Sequence, residues 1–176
     1  MADQDEVDRL VADWRREQPD LDVTPLEVLS RVTRLARHLD RARRSAFAEH
    51  DLEQWEFDVL AALRRSGPPY ELSPGRLVTQ MLVTSGTMTH RIDRLAGREL
   101  VRRRRDPEDR RGVLVRLTPA GKRRADAALQ DLLAREHELL GALNATDRVE
   151  LARLLRLLVL PFDGPGAGIA VTTSTR

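Results

Sequence analysis

The sequence contains no cysteine. A chain without cysteine has no disulfide, no thiolate metal site and no cysteine nucleophile. Aromatic residues are also scarce, at 3% of 176 residues, although hydrophobic residues reach 41%. The core must therefore consist mainly of Leu, Val and Ala, and Leu and Ala are good helix formers. Composition thus favours a globular, mostly helical protein.

Long uninterrupted apolar runs are missing as well. The most apolar stretch, residues 151–160, is interrupted by Arg153 and Arg156 and is too short to span a membrane. The acidic residues 1–10 lack the basic and apolar regions of a signal peptide. We therefore expect a cytoplasmic protein with no membrane contact.

Charge is distributed unevenly along the chain. Residues 1–30 carry three Arg and nine acidic residues, whereas residues 98–124 carry ten Arg, one Lys and four acidic residues. Lys122 is the only lysine, so a general preference for Arg explains why the cations are arginines but not why they cluster. Clustered cations in one segment predict contact with a polyanion such as DNA.

Apolar residues at helical spacing predict an α-rich fold. Thr24 is the expected N-cap of a long helix, because Pro25 and Glu27 follow it. The predicted helices cover residues 5–18, 24–49, 53–66, 73–81, 84–97, 118–143 and 144–161.

The period changes from 3.6 to 2 after residue 100, which predicts strands over 101–105 and 113–118. A polar, turn-rich segment separates these two strands and would form the tip of a β-hairpin. Two short helices followed by a hairpin predict a mainly α winged helix-turn-helix with a small β-hairpin wing and long dimerisation helices. The expected organisation is an N-terminal extension helix (1–22), dimerisation helices (23–50 and 118–162), a DNA-binding region (51–117) and a flexible tail (163–176).

The second helix of this motif is the candidate recognition helix. Met88, Ile92 and Leu95 share one face and would anchor it, so the opposite face is free to enter the major groove. Small hydroxyl residues and Gly near its N-terminus permit close approach to DNA, and backbone N–H groups there suit phosphates. The candidate DNA-binding residues are Ser73, Arg76, Ser85, Gly86, Thr87, Thr89, His90, Arg94, Asp109, Arg110 and Arg111.

Residues 109–121, DRRGVLVRLTPAG, resemble the wing signature of the MarR family of transcriptional regulators. Residues 91–95 and 100–103 match the family pattern too, and the resemblance covers residues 24 to about 160. It implies that Arg111 enters the minor groove and that Asp109 helps to hold the wing. One departure is Glu99, where the family usually has Gly. Glu99 must either avoid the left-handed conformation or accept a cost of about 1 kcal/mol.

The predicted helix 144–161 has apolar residues almost all round, which is typical of a helix buried on more than one side. A second copy of the chain would supply the missing cover, and the alternative is a monomer with a thick helical layer. A two-fold dimer would place two recognition helices about one DNA turn apart, ~34 Å, on a palindromic operator.

Trp14, Asp58, Arg91 and Arg103 resemble the ligand-binding set of the urate-responsive branch of the family, the HucR and PecS type. The resemblance implies that Trp14 borders a planar purine while Arg91 and Arg103 hold its negative charge. That charge would repel Asp58 or displace its ion pair and so move the recognition helix, which releases the DNA. Each residue also has a structural alternative: Trp14 attaches the N-terminal helix, Arg91 and Arg103 neutralise phosphates, and Asp58 braces the helix-turn-helix.

Two classes of function fit these patterns, and a third, an enzyme, does not. The first is a repressor released by urate or by another small carboxylic or phenolic anion. The second is an architectural DNA-binding protein without a ligand, with little sequence preference and a steep salt dependence. An enzyme is not expected, because the four histidines lack metal-ligand spacing and the chain has no phosphate loop or nucleophile motif. We predict no cofactor and no metal.

Overall fold

The computed structural model describes residues 4–107, 109 and 112–163 of the chain. Helices dominate these residues, and a small antiparallel sheet accompanies them, which confirms the predicted fold class. The helices are α1 (Glu6–Glu17), α2 (Thr24–Ala48), α3 (Gln54–Arg65), α4 (Pro74–Met81), α5 (Ser85–Gly97), α6 (Pro119–Leu139) and α7 (Ala145–Val159). The strands are β1 (Glu71–Leu72), β2 (Val101–Arg105) and β3 (Val113–Leu117), and a short 3-10 helix covers Leu160–Phe162.

Side-chain caps fix the starts of the two helices of the helix-turn-helix. The Ser73 hydroxyl accepts a hydrogen bond from Arg76 N at 3.3 Å, and the Thr84 hydroxyl accepts one from Thr87 N at 3.2 Å. Each bond satisfies one of the free N–H groups of a first turn, which is why α4 and α5 begin where they do.

The predicted cap of α2 is wrong by one residue. Thr24 is the first helical residue, and Val23 is the N-cap without a side-chain hydrogen bond. The carboxylate of Asp22 accepts from both the backbone N and the hydroxyl of Thr24, at 3.0 and 2.7 Å. Since Asp22 engages the Thr24 hydroxyl in this turn, that hydroxyl does not cap the helix.

The sheet has the strand order β1-β3-β2, and both pairings are antiparallel. The β2–β3 hairpin, residues 101–117, is the predicted wing, with Val101 opposite Leu117 and Arg105 opposite Val113. Strand β1 was not predicted, because two residues are too few to show alternation. Its pairing of Glu71 with Arg116 ties the wing to the segment before α4.

The chain divides into two compact units, residues 1–135 and 136–176. The first contains the main core, where α3, α4, α5 and the wing meet around Leu60, Leu63, Leu77 and Val115. Phe47 of α2 stacks on Phe57 of α3 at a ring distance of 4.2 Å. The second unit contains α7, none of whose residues is buried. Within the described residues no helix is long and apolar enough to cross a membrane.

Candidate DNA-binding surface and ligand cavity

Helix α5 has the two faces that the sequence predicts for a recognition helix. Met88, Ile92 and Leu95 are buried in the main core and fix the helix to the body. Six of the candidate DNA-binding residues are exposed along the rest of the helix: Ser85, Gly86, Thr87, Thr89, His90 and Arg94. The small residues lie at the N-terminus of α5, where backbone N–H groups and the helix dipole favour phosphate.

Helix α4 precedes the recognition helix and ends in a tight turn. Leu82 caps α4 in the left-handed conformation, with φ 52°, and its side chain is 92% exposed. Ser73 is half-buried as the cap of α4, and Arg76 is exposed one turn later. The helix pair therefore has the compact turn that a helix-turn-helix requires.

Two arginines of the recognition-helix segment bind acidic residues at the start of α3. Arg94 pairs with Glu53 at 2.5 Å on the exposed side. Arg98 pairs with Glu56 at 2.6 Å, and Glu56 is fully buried. Glu56 also accepts from Glu53 N at 2.9 Å, which closes a capping box at the start of α3. These contacts hold the recognition helix against α3.

The base of the wing is held to the start of α6. The Thr118 hydroxyl donates toward the Glu99 carbonyl at 2.8 Å and accepts from Gly121 N at 2.9 Å. A Cβ on Gly121 would lie 2.0 Å from the carbonyl oxygen of Leu100, so this close approach requires glycine. The Leu-Thr-Pro-Ala-Gly part of the wing signature therefore has a structural reason.

The tip of the wing is described only in part. Gly112 N donates to the Asp109 carbonyl at 2.9 Å, and Asp106 N donates to the Gly112 carbonyl at 3.0 Å. These bonds close the turn around Asp109, which is exposed. Arg110 and Arg111, the predicted minor-groove contacts, lie outside the described residues.

Glu99 adopts the left-handed conformation, with φ 57°. Of the two conformations left open by the sequence, the chain therefore accepts the strained one. Glu99 N donates to the Ala96 carbonyl at 2.9 Å, just after α5 ends at Gly97. The turn into the wing thus keeps the left-handed conformation that suits Gly, and the backbone of Glu99 is strained as a result.

Asp58 and Arg91 line one cavity of about 720 Å³ between the start of α3, the end of α2 and the recognition helix. Arg91 is half-buried and lies over the indole of Trp55, with its guanidinium carbon 5.3 Å from the ring centroid. Besides Asp58, Arg91 and Trp55, the lining comprises Arg44, Ala48, Leu52, Glu53, Gln54, Met81 and Val83. A cavity lined by apolar side chains together with charged groups of both signs suits a small polar aromatic molecule.

Asp58 lies in a mainly cationic environment. Burial raises the pKa of its carboxyl group above 3.8, while the guanidinium groups of Arg43, Arg91 and Arg65 oppose that shift. The Nε of Arg43 is buried and has no hydrogen-bond partner among the described residues. The effect of burial on the pKa is larger than that of the three arginines, so the ionised form of Asp58 destabilises the folded state.

The structure places the other two predicted ligand residues elsewhere. Trp14 is exposed on α1 and lines a separate groove of about 890 Å³ with Leu10 and Leu29. Arg103 of the wing pairs with Asp93 of α5 at 2.8 Å. Within one chain, the four predicted residues therefore divide into the pair Asp58 and Arg91, Trp14 in its groove, and Arg103 in an ion pair.

Several residues of the site were not identified from the sequence. Trp55 was not among the predicted site residues, yet its ring contacts both Arg91 and Arg94. The buried pair of Glu56 and Arg98 was missed altogether. The signal for Glu56 was available, because Glu53 and Glu56 have the spacing of a capping box. The partners of Trp55 and Arg98 are distant in sequence and follow only from the fold.

An exposed recognition helix, a capped helix before it and a hairpin of basic strands define a winged helix-turn-helix DNA-binding protein. The family model described as MarR family matches residues 50–112. The regulator PecS of Dickeya dadantii is 36% identical over 150 residues, which cover 85% of this chain and 90% of PecS. The chain therefore belongs to the MarR family of transcriptional regulators, and the PecS match supports its place on the branch that the sequence indicated.

Two solved structures extend the comparison. A cysteine-to-serine mutant of MarR from E. coli, complexed with operator DNA, has a TM-score of 0.62 and 28% identity, over 79% of this chain and 99% of that one. Bordetella bronchiseptica BpsR, whose DNA binding is described as regulated by 6-hydroxynicotinic acid, has a TM-score of 0.55 and 30% identity. That match covers 73% of this chain and 98% of BpsR. These relatives are DNA-binding regulators and not enzymes.

Proposed function

We propose that this protein is a homodimeric repressor that binds a palindromic operator and releases it when a small planar anion occupies the cavity of Asp58 and Arg91. One observation carries the proposal: Arg91 belongs to both the cavity and the recognition helix. A ligand that changes the position of Arg91 acts on the helix that would contact the bases, and differential affinity then couples the two sites.

The DNA contacts are assigned to the exposed face of α5 and to the wing. Ser85, Gly86, Thr87, Thr89, His90 and Arg94 would face the major groove, with Ser73 and Arg76 of α4 near the phosphates. Arg110 and Arg111 at the wing tip would enter the adjacent minor groove, and Asp109 would help to hold the wing. The likeness to a relative solved with operator DNA supports this assignment.

The homodimer rests on apolar surface that one chain leaves exposed. On α7 this surface includes Val149 and Leu157, exposed by 73% and 56%, and on α2 it includes Val28 and Leu29. Apolar surface of this extent marks an interface, and two-fold symmetry matches a palindromic operator.

Urate is the first candidate ligand, because PecS is the relative with 36% identity and the resemblance that points to Asp58 and Arg91 belongs to the same branch. Arg91 supplies the cation for a delocalised negative charge, and Arg44 stands at the same cavity. Trp14 and Arg103 keep their predicted ligand roles only as predictions, since the contacts described within one chain place neither with Asp58.

A second candidate is a hydroxylated pyridine carboxylate. BpsR, at 30% identity, is described as regulated by 6-hydroxynicotinic acid, which is also a planar ring with a negative charge. The same arginines would bind either ligand. The proposal therefore defines the ligand by its class, a small planar anion.

The test is a gel-shift titration of the DNA upstream of the protein's own gene and of a scrambled duplex, at fixed salt, with and without urate or 6-hydroxynicotinate. The proposal predicts selective binding of a dimer and release by one of the two anions. Equal binding of both duplexes with no release would instead indicate the architectural alternative.

A further inference from the structure

Trp55 occupies the point where the ligand cavity meets the DNA-binding face. It is half-buried at the start of α3 and lines the cavity beside Asp58 and Arg91. The guanidinium carbons of Arg91 and Arg94 lie 5.3 and 4.9 Å from its ring centroid. One aromatic ring therefore contacts a cavity arginine and an arginine assigned to the DNA-facing surface.

The carboxylate of Glu53 accepts hydrogen bonds from both the indole of Trp55 and the guanidinium group of Arg94. Trp55 Nε1–H donates to one carboxylate oxygen of Glu53 at 2.6 Å, and Arg94 donates to the other at 2.5 Å. Arg94 and Trp55, in that order, lower the pKa of Glu53, so the carboxylate stays ionised and keeps both donors. Movement of the ring thus disturbs the hydrogen bond that positions Arg94 beside it.

We infer that Trp55 is the aromatic ligand-binding residue of this cavity and that a planar anion stacked on it acts on Arg94 through the shared ring. The inference rests on the proposed function, since it assumes a ligand in the cavity of Asp58 and Arg91. It assigns to Trp55 the aromatic contact that the sequence assigns to Trp14.

The chemistry of the cavity would favour flat anions. A planar ring gains contact area and offset stacking on an indole, and its charge is met by Arg91 on the same cavity wall. Both guanidinium groups already use the indole for cation–π contact, so a stacked ligand competes with them for the ring. Arg94 then loses contacts that hold it in place on the recognition helix.

The chain has two tryptophans, which makes the assignment directly measurable. In a ¹H–¹⁵N spectrum of the full-length dimer, Trp14→Phe and Trp55→Phe identify the two indole N–H signals. On titration with urate or 6-hydroxynicotinate, the Trp55 signal is expected to shift as the complex forms. A shift confined to Trp14 overturns the inference and moves the aromatic contact to α1.

Binding affinities give a second readout. Trp55→Leu keeps apolar bulk but removes the stacking face, so ligand binding should weaken by about tenfold, whereas Trp55→Phe should stay within about threefold. Unchanged affinity in Trp55→Leu overturns the inference, provided that its thermal unfolding shows a folded dimer. If Arg91→Gln lowers affinity while Trp55→Leu does not, the proposed ligand site stands and only the role of Trp55 fails. If wild type binds neither anion, both fail.

Discussion

At the scale of single residues, burial and three arginines shift the pKa of Asp58 in opposite directions. Burial dominates and raises the pKa of its carboxyl group. The folded state therefore holds the Asp58 proton more tightly than the unfolded state does. This contribution to stability is complete at low pH and is lost as the pH rises from about 3.8 through the higher folded pKa.

Asp58→Asn should therefore raise the melting temperature at pH 7, and the gain should shrink as the pH falls through the folded pKa of Asp58 towards 3.8. Thermal unfolding of wild type and variant across this range checks the prediction. Asp93→Asn is the control, because Asp93 is an exposed partner of Arg103 and offers no buried carboxylate to remove. A variant less stable than wild type at pH 7 would show that the arginines outweigh burial.

Glu99 carries backbone strain at the entrance to the wing. Glu99→Gly should stabilise the protein by about 0.5–1 kcal/mol, because glycine relieves the left-handed strain but adds freedom to the unfolded chain. Urea denaturation measures this difference. Glu99→Ala keeps the strain and should not stabilise; an equal gain in Ala would mean that the Glu side chain, and not the backbone, causes the cost.

At the scale of elements, two ion pairs join α3 to the recognition-helix segment, and they differ in burial. Arg98→Ala leaves Glu56 buried without its cation and should cost about 2–3 kcal/mol, somewhat less than for a fully enclosed pair because Arg98 is partly exposed. Arg94→Ala removes the exposed pair with Glu53 and should cost much less than Arg98→Ala, because solvent screens an exposed pair. Chemical denaturation of both variants checks this order, and equal losses would contradict it.

The recognition helix has a glycine, Gly86, near its N-terminus, although the fold has room for a side chain there. A Cβ on Gly86 would meet nothing within 4 Å. Gly86→Ala should therefore stabilise the helix by about 0.5–1 kcal/mol and yet weaken operator binding, because the added methyl group would face the DNA in the proposed arrangement.

Gly97 is the matched control at the other end of α5, where a Cβ also meets nothing within 4 Å. Gly97→Ala should not lose operator affinity. Fluorescence anisotropy of a labelled operator measures both variants. If Gly86→Ala binds as tightly as wild type, the N-terminus of α5 does not approach the bases.

The sequence predicts the helices and strands of the DNA-binding region better than the side-chain contacts between them. The buried face of α5 and the two strands of the wing follow from periodicity, since local spacing determines which side chains share a face. Strand β1 is too short to show a period. The contact of Trp55 with Arg91 and Arg94 depends on how α3 packs against α5, which no local pattern encodes.

At the scale of the whole molecule, a single chain leaves α7 without any buried residue. Leu154 and Leu158, one turn apart on α7, are exposed by 45% and 50%. The double variant Leu154→Asp/Leu158→Asp should shift the protein from dimer to monomer, because two desolvated carboxylates would oppose an apolar interface. Sedimentation velocity measures the change.

The control for that variant is Leu82→Asp. It places a carboxylate on an exposed leucine in the turn of the helix-turn-helix and should leave the dimer intact. A double α7 variant that sediments as a dimer would remove α7 from the interface. A wild-type monomer would contradict the two-fold arrangement on which palindrome recognition depends.

Whether a planar anion at Arg91 releases the operator can be measured in one titration. Labelled operator is saturated with wild type or Arg91→Gln at fixed salt, and urate and 6-hydroxynicotinate are added while anisotropy is followed. One anion is expected to release wild type, whereas Arg91→Gln is expected to stay bound at the same concentrations. Identical release of both proteins, or no release of wild type by either anion, would contradict it.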